Sequence, residues 1–575
     1  MLRLYYNYAI ETNFKTIMTK RERNPVAITP FLEKDSLMFI IILGLWIMTI
    51  LHFDPKIIHY LPRNSTLLPK ISILIFLVCV DVFWLYGIYH LVIAFFSAFV
   101  VKANNIINKE QGNSDRTAIL YLTMNDFREE AVLSCLNQDS DNFNVFILDD
   151  SDDRYCREKV DSFITRNNQV RLIRRKARTY FKAGNLNNAL SEIYKDYDYF
   201  AVSDSDGILP DNFLKTLLPY FKLDKNIGFV QANQRWNPNQ ESEFAKDLGL
   251  NTDVHWKYYL PAKNIYGFLM FYGHGAIIRT DIWKEIGGFP HSITEDLVFS
   301  SLVRGKGYIG VFVPEVICLE DYPEDYKSFR IRNERWVKGT TEYLFKWFPK
   351  LLLSSKVPWF EKLDVFVSAG ILLQPFVFII FLLIVSVVLP FAAKCFGLYI
   401  PLVATFVPLS TAWSTFFAGV YFSSNWTFDF FLMMTIAAFA QFAPLFWSML
   451  KDPIRITRHI SCFMFICLSS SIASFINICS IIISRKSNFL VTGIRKKKDT
   501  LEHKIIVFVE MIFSVFLVFS TLKTGNVWLV TVPFSVILNP FMYKIKWDNP
   551  IFVVVTYLPF VLISMIVILI SISTF

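Results

Sequence analysis

The sequence predicts an α/β domain with a largely parallel sheet, inserted between α-helical transmembrane segments. Three observations carry this. The hydrophobic fraction is 53% and the mean hydropathy +0.39 over 575 residues, far from an ordinary soluble chain. Most acidic residues fall between about Asn105 and Glu361, with long apolar runs on both sides. Inside that block short apolar runs alternate with helix-like segments, as strands joined by helical crossovers do.

Residues 1–35 form a leader whose Arg3, Lys15, Lys20, Arg21 and Arg23 predict a cytoplasmic N-terminus. It lacks the short apolar core and small-residue cleavage site of a signal peptide, so the first span is expected to be a retained anchor. Ser36 to Phe53 and Ile71 to Val101 are each long enough to cross a layer that needs about 20 apolar residues. Residues 36–101 are therefore expected to hold two transmembrane helices, which returns the block 102–350 to the cytoplasm. At roughly 250 residues that block can bury a core of its own.

Further spans are expected at Phe366 to Ala393, Leu398 to Phe422, Phe428 to Leu450, Ile460 to Ser484, Ile505 to Leu522, Asn526 to Tyr543 and Ile551 to Ile570. Residues 351–484 then comprise an interfacial helix and transmembrane helices, 485–502 a cytosolic loop, and 503–575 the C-terminal transmembrane helices. Four crossings return the basic run "SRKSNFLVTGIRKKKD" to the cytoplasm, as the charge bias asks. The basic loop "KDPIRITRH", Lys451 to His459, falls on the opposite side in this count. Either it is an exception, or a neighbouring segment lies in the interface instead of crossing. The expectation is a multi-pass protein of the plasma (inner) membrane with its soluble domain in the cytoplasm.

The net charge of +9 is met by anionic membrane lipids, and no nucleic-acid-binding motif is present. No pair of the eight cysteines has CxxC spacing, and Cys79, Cys462, Cys467 and Cys479 sit in apolar spans, which reads as reduced packing residues.

"AILYLT", "VFILDD", "YFAVSDSD" and "IGFVQ" are the clearest strands. In open sheets ligands bind beyond the carboxyl ends of strands. Asp149 and Asp150 close one such run; Asp204 and Asp206 follow another as Asp-Ser-Asp, where alternation along an extended segment lets both reach one divalent ion. Solvated turn residues are the plainer reading of either pair. In "FKAGNLNNAL", Lys182 and Gly184 precede a helix-like segment, an arrangement suited to a phosphate and also common without one. Thr294-Glu295-Asp296 stands directly before an apolar periodic segment, either as acids favouring a helix N-terminus or with Asp296 as a general base. His274, between glycines, receives no role. In "RIRNERWVKGTTEYLF", Arg332, Arg335 and Trp336 at i, i+3 and i+4 share one helix face. Taken alone, that face reads as an interfacial helix with snorkelling arginines and a tryptophan anchor.

Taken in order, these motifs resemble those of the membrane-integrated processive family 2 glycosyltransferases, which include cellulose synthase, curdlan synthase and the periplasmic glucan synthases. The resemblance covers the soluble domain and its flanking spans, and it implies a GT-A-type, Rossmann-like fold. It implies nucleotide contacts for Asp149 and Asp150, and diphosphate contacts for Lys182, Asp204 and Arg335. It also implies a Mg²⁺ or Mn²⁺ site at Asp204 and Asp206, a base at Asp296 with Glu295 and Thr294 beside it, and acceptor stacking on Trp336. Phe271, Tyr272 and Gly273 of "FYGHG" replace the cysteine-containing finger segment of cellulose synthases and are assigned to the acceptor. Phe489, Val491 and Thr492 match the family's Phe-x-Val-Thr gating loop, which closes over bound nucleotide sugar. Arg332 departs from the pattern, standing where the family usually has Gln.

The implied activity is inverting transfer from a nucleotide sugar, foremost UDP-glucose, to a growing β-linked polysaccharide exported through the protein's own channel. Expected partners are a UDP-sugar, the polysaccharide and membrane lipids, with room for an accessory export subunit or a homo-oligomer. A non-processive enzyme acting on a lipid or short oligosaccharide is the alternative; a nucleotide-sensing transporter is the distant one.

Overall fold

The computed structural model describes residues 34–59, 66–100, 115–389, 391, 426–445, 453–484, 501–524 and 531–538. Two apolar helices come first, α1 (Leu37–Ile58) and α2 (Leu67–Phe95). The inserted domain follows as β1 (Thr117–Thr123), α3 (Glu129–Leu136), β2 (Phe143–Asp149), α4 (Arg154–Arg166), β3 (Val170–Ile173), α5 (Phe181–Ile193), β4 (Tyr199–Ser203), β5 (Ile227–Trp236), α6 (Glu243–Val254), α7 (Leu260–Tyr266), β6 (Ala276–Arg279), α8 (Glu295–Lys306) and β7 (Ile309–Glu320). Then come α9 (Tyr326–Lys346), α10 (Trp359–Gly370), α11 (Gln374–Leu383), α12 (Trp426–Phe439), α13 (Pro453–Ser484) and α14 (Leu501–Thr524).

The strands form one sheet in the order β3-β2-β1-β4-β6-β5-β7. All seven residues of β1 are buried, as a central strand covered on both faces requires. Its side chains alternate between two core layers. Ile119 and Tyr121 pack with Val132 of α3 and Phe163 of α4, whereas Ala118, Leu120 and Leu122 pack with Leu186 of α5 and Phe299 of α8. Side-chain caps start several helices: Asp153 accepts from the Cys156 N–H, Ser242 from Ala245 and Asp325 from Ser328. Gly307, at φ +104°, closes α8 in the left-handed conformation that glycine adopts freely.

The four expected strands are all present, but the sheet is mixed where a largely parallel one was expected. β6 runs antiparallel to both β4 and β5. The reason lies in the crossover: after β5 the chain returns through α6, α7 and the turn "FYGHG", and so enters β6 from the end where β4 finishes. The Gly275 N–H donates to the Val202 carbonyl at 2.8 Å, which sets this turn beside the end of β4. Gly273 and Gly275 have φ of +88° and +61°.

Among the described residues four helices are long and apolar enough to cross a membrane: Leu37–Ile58, Leu67–Phe99, Trp359–Val388 and Arg458–Ser484. They overlap four of the expected spans. Leu432–Leu445 and Ile505–Ser520 are apolar but shorter. The expected spans Leu398 to Phe422 and Ile551 to Ile570, and the loop residues Phe489, Val491 and Thr492, lie outside the described residues. "KDPIRITRH" runs into the first turns of α13, where Arg458 lies 3.5 Å from Asp247 and His459 3.2 Å from Asn251, both on α6. The start of α13 therefore packs against the inserted domain.

The buried Asp364 of α10 joins the domain to the membrane helices. It accepts from Tyr89 of α2 at 2.9 Å and from the Phe268 N–H at 2.8 Å, and pairs with Lys263 of α7 at 3.1 Å.

Candidate active site

The chain switches sides at β1, with β2 and β3 on one flank and β4 on the other, so a crevice opens at their carboxyl ends. Asp204 and Asp206 follow β4 there. They occupy a turn, closed by the Gly207 N–H donating to the Asp204 carbonyl at 3.0 Å, and not the extended segment expected from the sequence. Lys182, in the first turn of α5, reaches Asp204 at 2.5 Å. Across the crevice Asp296 lies at the start of α8, with one carboxylate oxygen accepting from the Leu297 N–H at 2.8 Å. Gly273 stands between them. A Cβ placed on it would lie 3.5 Å from the Lys182 Nζ and 3.6 Å from the Asp296 Oδ2.

The surrounding elements hold this arrangement. The Phe271 N–H donates to Ser300 of α8 at 2.8 Å, and the Tyr272 N–H to Gln231 of β5 at 3.0 Å. Thr294 donates to the Gly339 carbonyl of α9 at 3.3 Å, and a Cβ on Gly339 would come within 2.7 Å of the Thr294 methyl. That close approach brings the α9 face to the site. Trp336 is 42% exposed, and Arg332 stacks on it at 4.6 Å and on Tyr322 at 5.6 Å.

Residues 199–483 match the family described as Glycosyl transferase family group 2. The chain carries a family 2 glycosyltransferase domain. Its fold is GT-A-like, a mixed α/β sheet domain. Over 235 residues the chain is 26% identical to glucomannan 4-beta-mannosyltransferase 1 of Cyamopsis tetragonoloba; the match covers 40% of this chain and spans less than half, 45%, of that relative. Similar solved structures include the mannosyltransferase PcManGT from Pyrobaculum calidifontis in complex with GDP-Man and Mn²⁺, at 18% identity and TM-score 0.44, covering 66% of this chain and 98% of that one. Another is S. aureus TarS 1-349, at 14% identity and TM-score 0.30, covering 56% and 90% respectively.

The charges of the crevice are unevenly balanced. Burial raises the Asp206 carboxyl to about 7, helped by the charge of Asp204 and opposed by His274. Burial pushes Asp204 upward too, but Lys182 and His274 hold it below the usual range. Burial raises both Glu295 and Asp296; the Asp296 charge adds to the rise of Glu295, while the Leu297 N–H and Lys182 oppose that of Asp296. Burial would lower Lys182, yet Asp204 and Glu295 raise it. Burial also lowers Arg335, against the charges of Glu295, Asp204 and Asp296. Asp204 and Asp206 suit a divalent cation, since two carboxylates in mutual repulsion are what such an ion relieves. No group of three or more His, Cys, Asp or Glu side chains among the described residues forms a complete cage.

Asp149 and Asp150 differ. Asp149 accepts from Arg174 at 2.7 Å and from the Ser151 N–H at 2.9 Å, and Asp150 is held bidentately by Arg175 at 2.8 and 2.6 Å. Neither arginine was singled out in the sequence, where each lies 25 residues from its partner. His274 was also passed over, although its ring meets Glu320, the last residue of β7, at 3.0 Å. Glycines on both sides are the only local signal that this histidine is held against a neighbour.

Proposed function

We propose that the protein is an inverting glycosyltransferase that moves a sugar from a nucleotide sugar to the end of a growing β-linked polysaccharide and passes the chain through its membrane helices. The observation that carries this reading is the small space at Gly273, with Lys182 on one side and Asp296 on the other. A phosphate-binding cation and a carboxylate with raised proton affinity there face one reacting centre.

Asp296 takes the proton from the acceptor hydroxyl, and that oxygen bonds to the anomeric carbon as the bond from this carbon to the nucleoside diphosphate breaks. Burial suits Asp296 to the task, because a carboxylate that binds a proton more tightly is the stronger base. Lys182 and Arg335 meet the charge developing on the diphosphate. Asp204 and Asp206 would hold Mg²⁺ or Mn²⁺, which when bound offsets the same charge. Trp336 offers an exposed ring to the acceptor sugar, and Arg332, covering one face, leaves the other for stacking.

A cavity of about 190 Å³ supports export. Its lining includes Tyr89, His90, His255, Tyr259, Lys263 and Gln441, so it lies where the domain meets α2 and the segment after α12. Aromatic rings and polar groups that are neutral, apart from Lys263 in its pair with Asp364, suit a sugar chain. His255 is one of these, since burial and the charge of Lys263 lower it to about 3. Its ring meets the Tyr272 hydroxyl at 2.9 Å, which connects the cavity to the turn beside Asp296.

The donor is proposed to be UDP-glucose or GDP-mannose, the second because the matched relative is a mannosyltransferase. The test is product formation by the purified protein in lipid vesicles, with each labelled donor offered separately together with Mg²⁺ or Mn²⁺. Long polymer from one donor is expected, and Asp296→Asn should slow it about 10³-fold while nucleotide binding persists. Short or lipid-extractable product would instead identify a single-transfer enzyme. Normal turnover in Asp296→Asn would remove it as the base.

A further inference from the structure

The turn that delivers Lys182 is strained. Tyr180 and Phe181 have φ of +58° and +49°, a left-handed conformation that costs a residue with a Cβ energy glycine would not spend. Two features hold it. Arg175, while gripping Asp150, also donates to the carbonyls of Thr179 and Phe181. Tyr180, 53% exposed, lays its ring flat on His291, with centroids 3.4 Å apart and planes within 4°.

His291 lies three residues before Thr294, on the loop that leads into Glu295 and Asp296. That loop is already fastened to α5, because Asn187 accepts from the Phe289 N–H and donates to its carbonyl, both at 2.8 Å. The stack is therefore not needed to hold His291 in place. It acts in the other direction, fixing Tyr180, whose carbonyl accepts from the Gly184 N–H at 2.9 Å, and with it the first turn of α5 that carries Lys182.

We infer that Tyr180 is a positioning residue whose stack on His291 keeps this strained turn closed, so that Lys182 faces Asp296 across the crevice. The inference rests on the transfer reaction proposed above. An exposed ring that only added packing would stabilise the fold; a ring that maintains strain for geometry should do the reverse when removed.

The experiment compares wild type with Tyr180→Gly, Tyr180→Phe, His291→Ala and the double variant Tyr180→Gly/His291→Ala, measuring thermal unfolding and sugar transfer on the same preparations. Tyr180→Gly should unfold no earlier than wild type yet transfer about 10- to 100-fold more slowly, since small misplacements of a binding group have effects of that size. His291→Ala should show a similar loss. The double variant should be no worse than either single change, and Tyr180→Phe, which keeps the ring, should recover transfer relative to Tyr180→Gly. Wild-type transfer by Tyr180→Gly overturns the inference, as does earlier unfolding of that variant, the mark of ordinary packing. A wild-type protein that transfers from no donor overturns the parent reading and this inference together.

Discussion

Two acidic clusters stand at neighbouring strand ends and look alike as sequence, yet they are built in opposite ways. At the end of β2 each carboxylate has its own guanidinium, Asp149 with Arg174 and Asp150 with Arg175. Beyond β4 and at the start of α8, Asp204, Asp206, Glu295 and Asp296 share Lys182 and the nearby charge of Arg335. The first cluster is satisfied by the fold alone, and the second retains repulsion among its carboxylates that a bound cation is suited to resolve. Paired charges hold a crevice open in shape; unbalanced ones give it something to do.

The largest effect expected from this contrast is on stability. Asp149→Asn removes the charge of a fully buried carboxylate and leaves the partly exposed Arg174 with only its second bridge, to Asp161 at 2.7 Å, and should cost about 2 kcal/mol. Denaturant unfolding measures it. An unfolding curve that does not move would mean that the pair contributes little to the fold, and that Asp149 is held chiefly for the nucleotide.

How much of this was legible follows from sequence distance. "AILYLT" and "VFILDD" announce buried strands by their apolar runs, and Thr294, Glu295 and Asp296 are adjacent, so their helix-start position could be read directly. The antiparallel β6 could not be, because "AIIR" is four residues long and its direction depends on the route of the whole crossover. The two arginines that neutralise Asp149 and Asp150 come from the far end of β3, within a run of basic residues with no mark of which ones turn inward. Tyr180 is the hardest case, since a left-handed tyrosine has no sequence signature and its stacking partner belongs to another loop.

His274 lies between the two classes. It borders the unbalanced cluster but has a carboxylate of its own in Glu320, and Asp204, Asp206 and Lys182 face it as well. Burial alone would lower the imidazole; the hydrogen bond and charge of Glu320, with Asp204 adding to them, raise it to about 9 against Lys182. A histidine whose folded value exceeds its unfolded value of about 6.5 contributes stability that is fully present below that pH and is lost as pH rises through about 9. In metal-free buffer the difference in unfolding temperature between wild type and His274→Gln should therefore be largest near pH 6 and shrink by pH 10. The effect should be smaller than that of Asp149→Asn. A constant difference across this range would mean that the ring acts by packing rather than by charge.

The smallest effect has the opposite sign. Asp206 gains no ion pair among the described residues, and burial together with the charge of Asp204 makes its ionised form unfavourable. Asp206→Asn keeps the shape and removes one of the two repelling charges, so in metal-free buffer near pH 8 it should stabilise the protein by about 1 kcal/mol, as relief of strain at a functional site does. The same change should weaken Mn²⁺ binding, measured by titration calorimetry, because it removes a carboxylate the ion would use. Lower stability would place Asp206 with Asp149 among the structural acids. Higher stability with weaker metal binding would show that the fold tolerates this repulsion for the sake of a ligand.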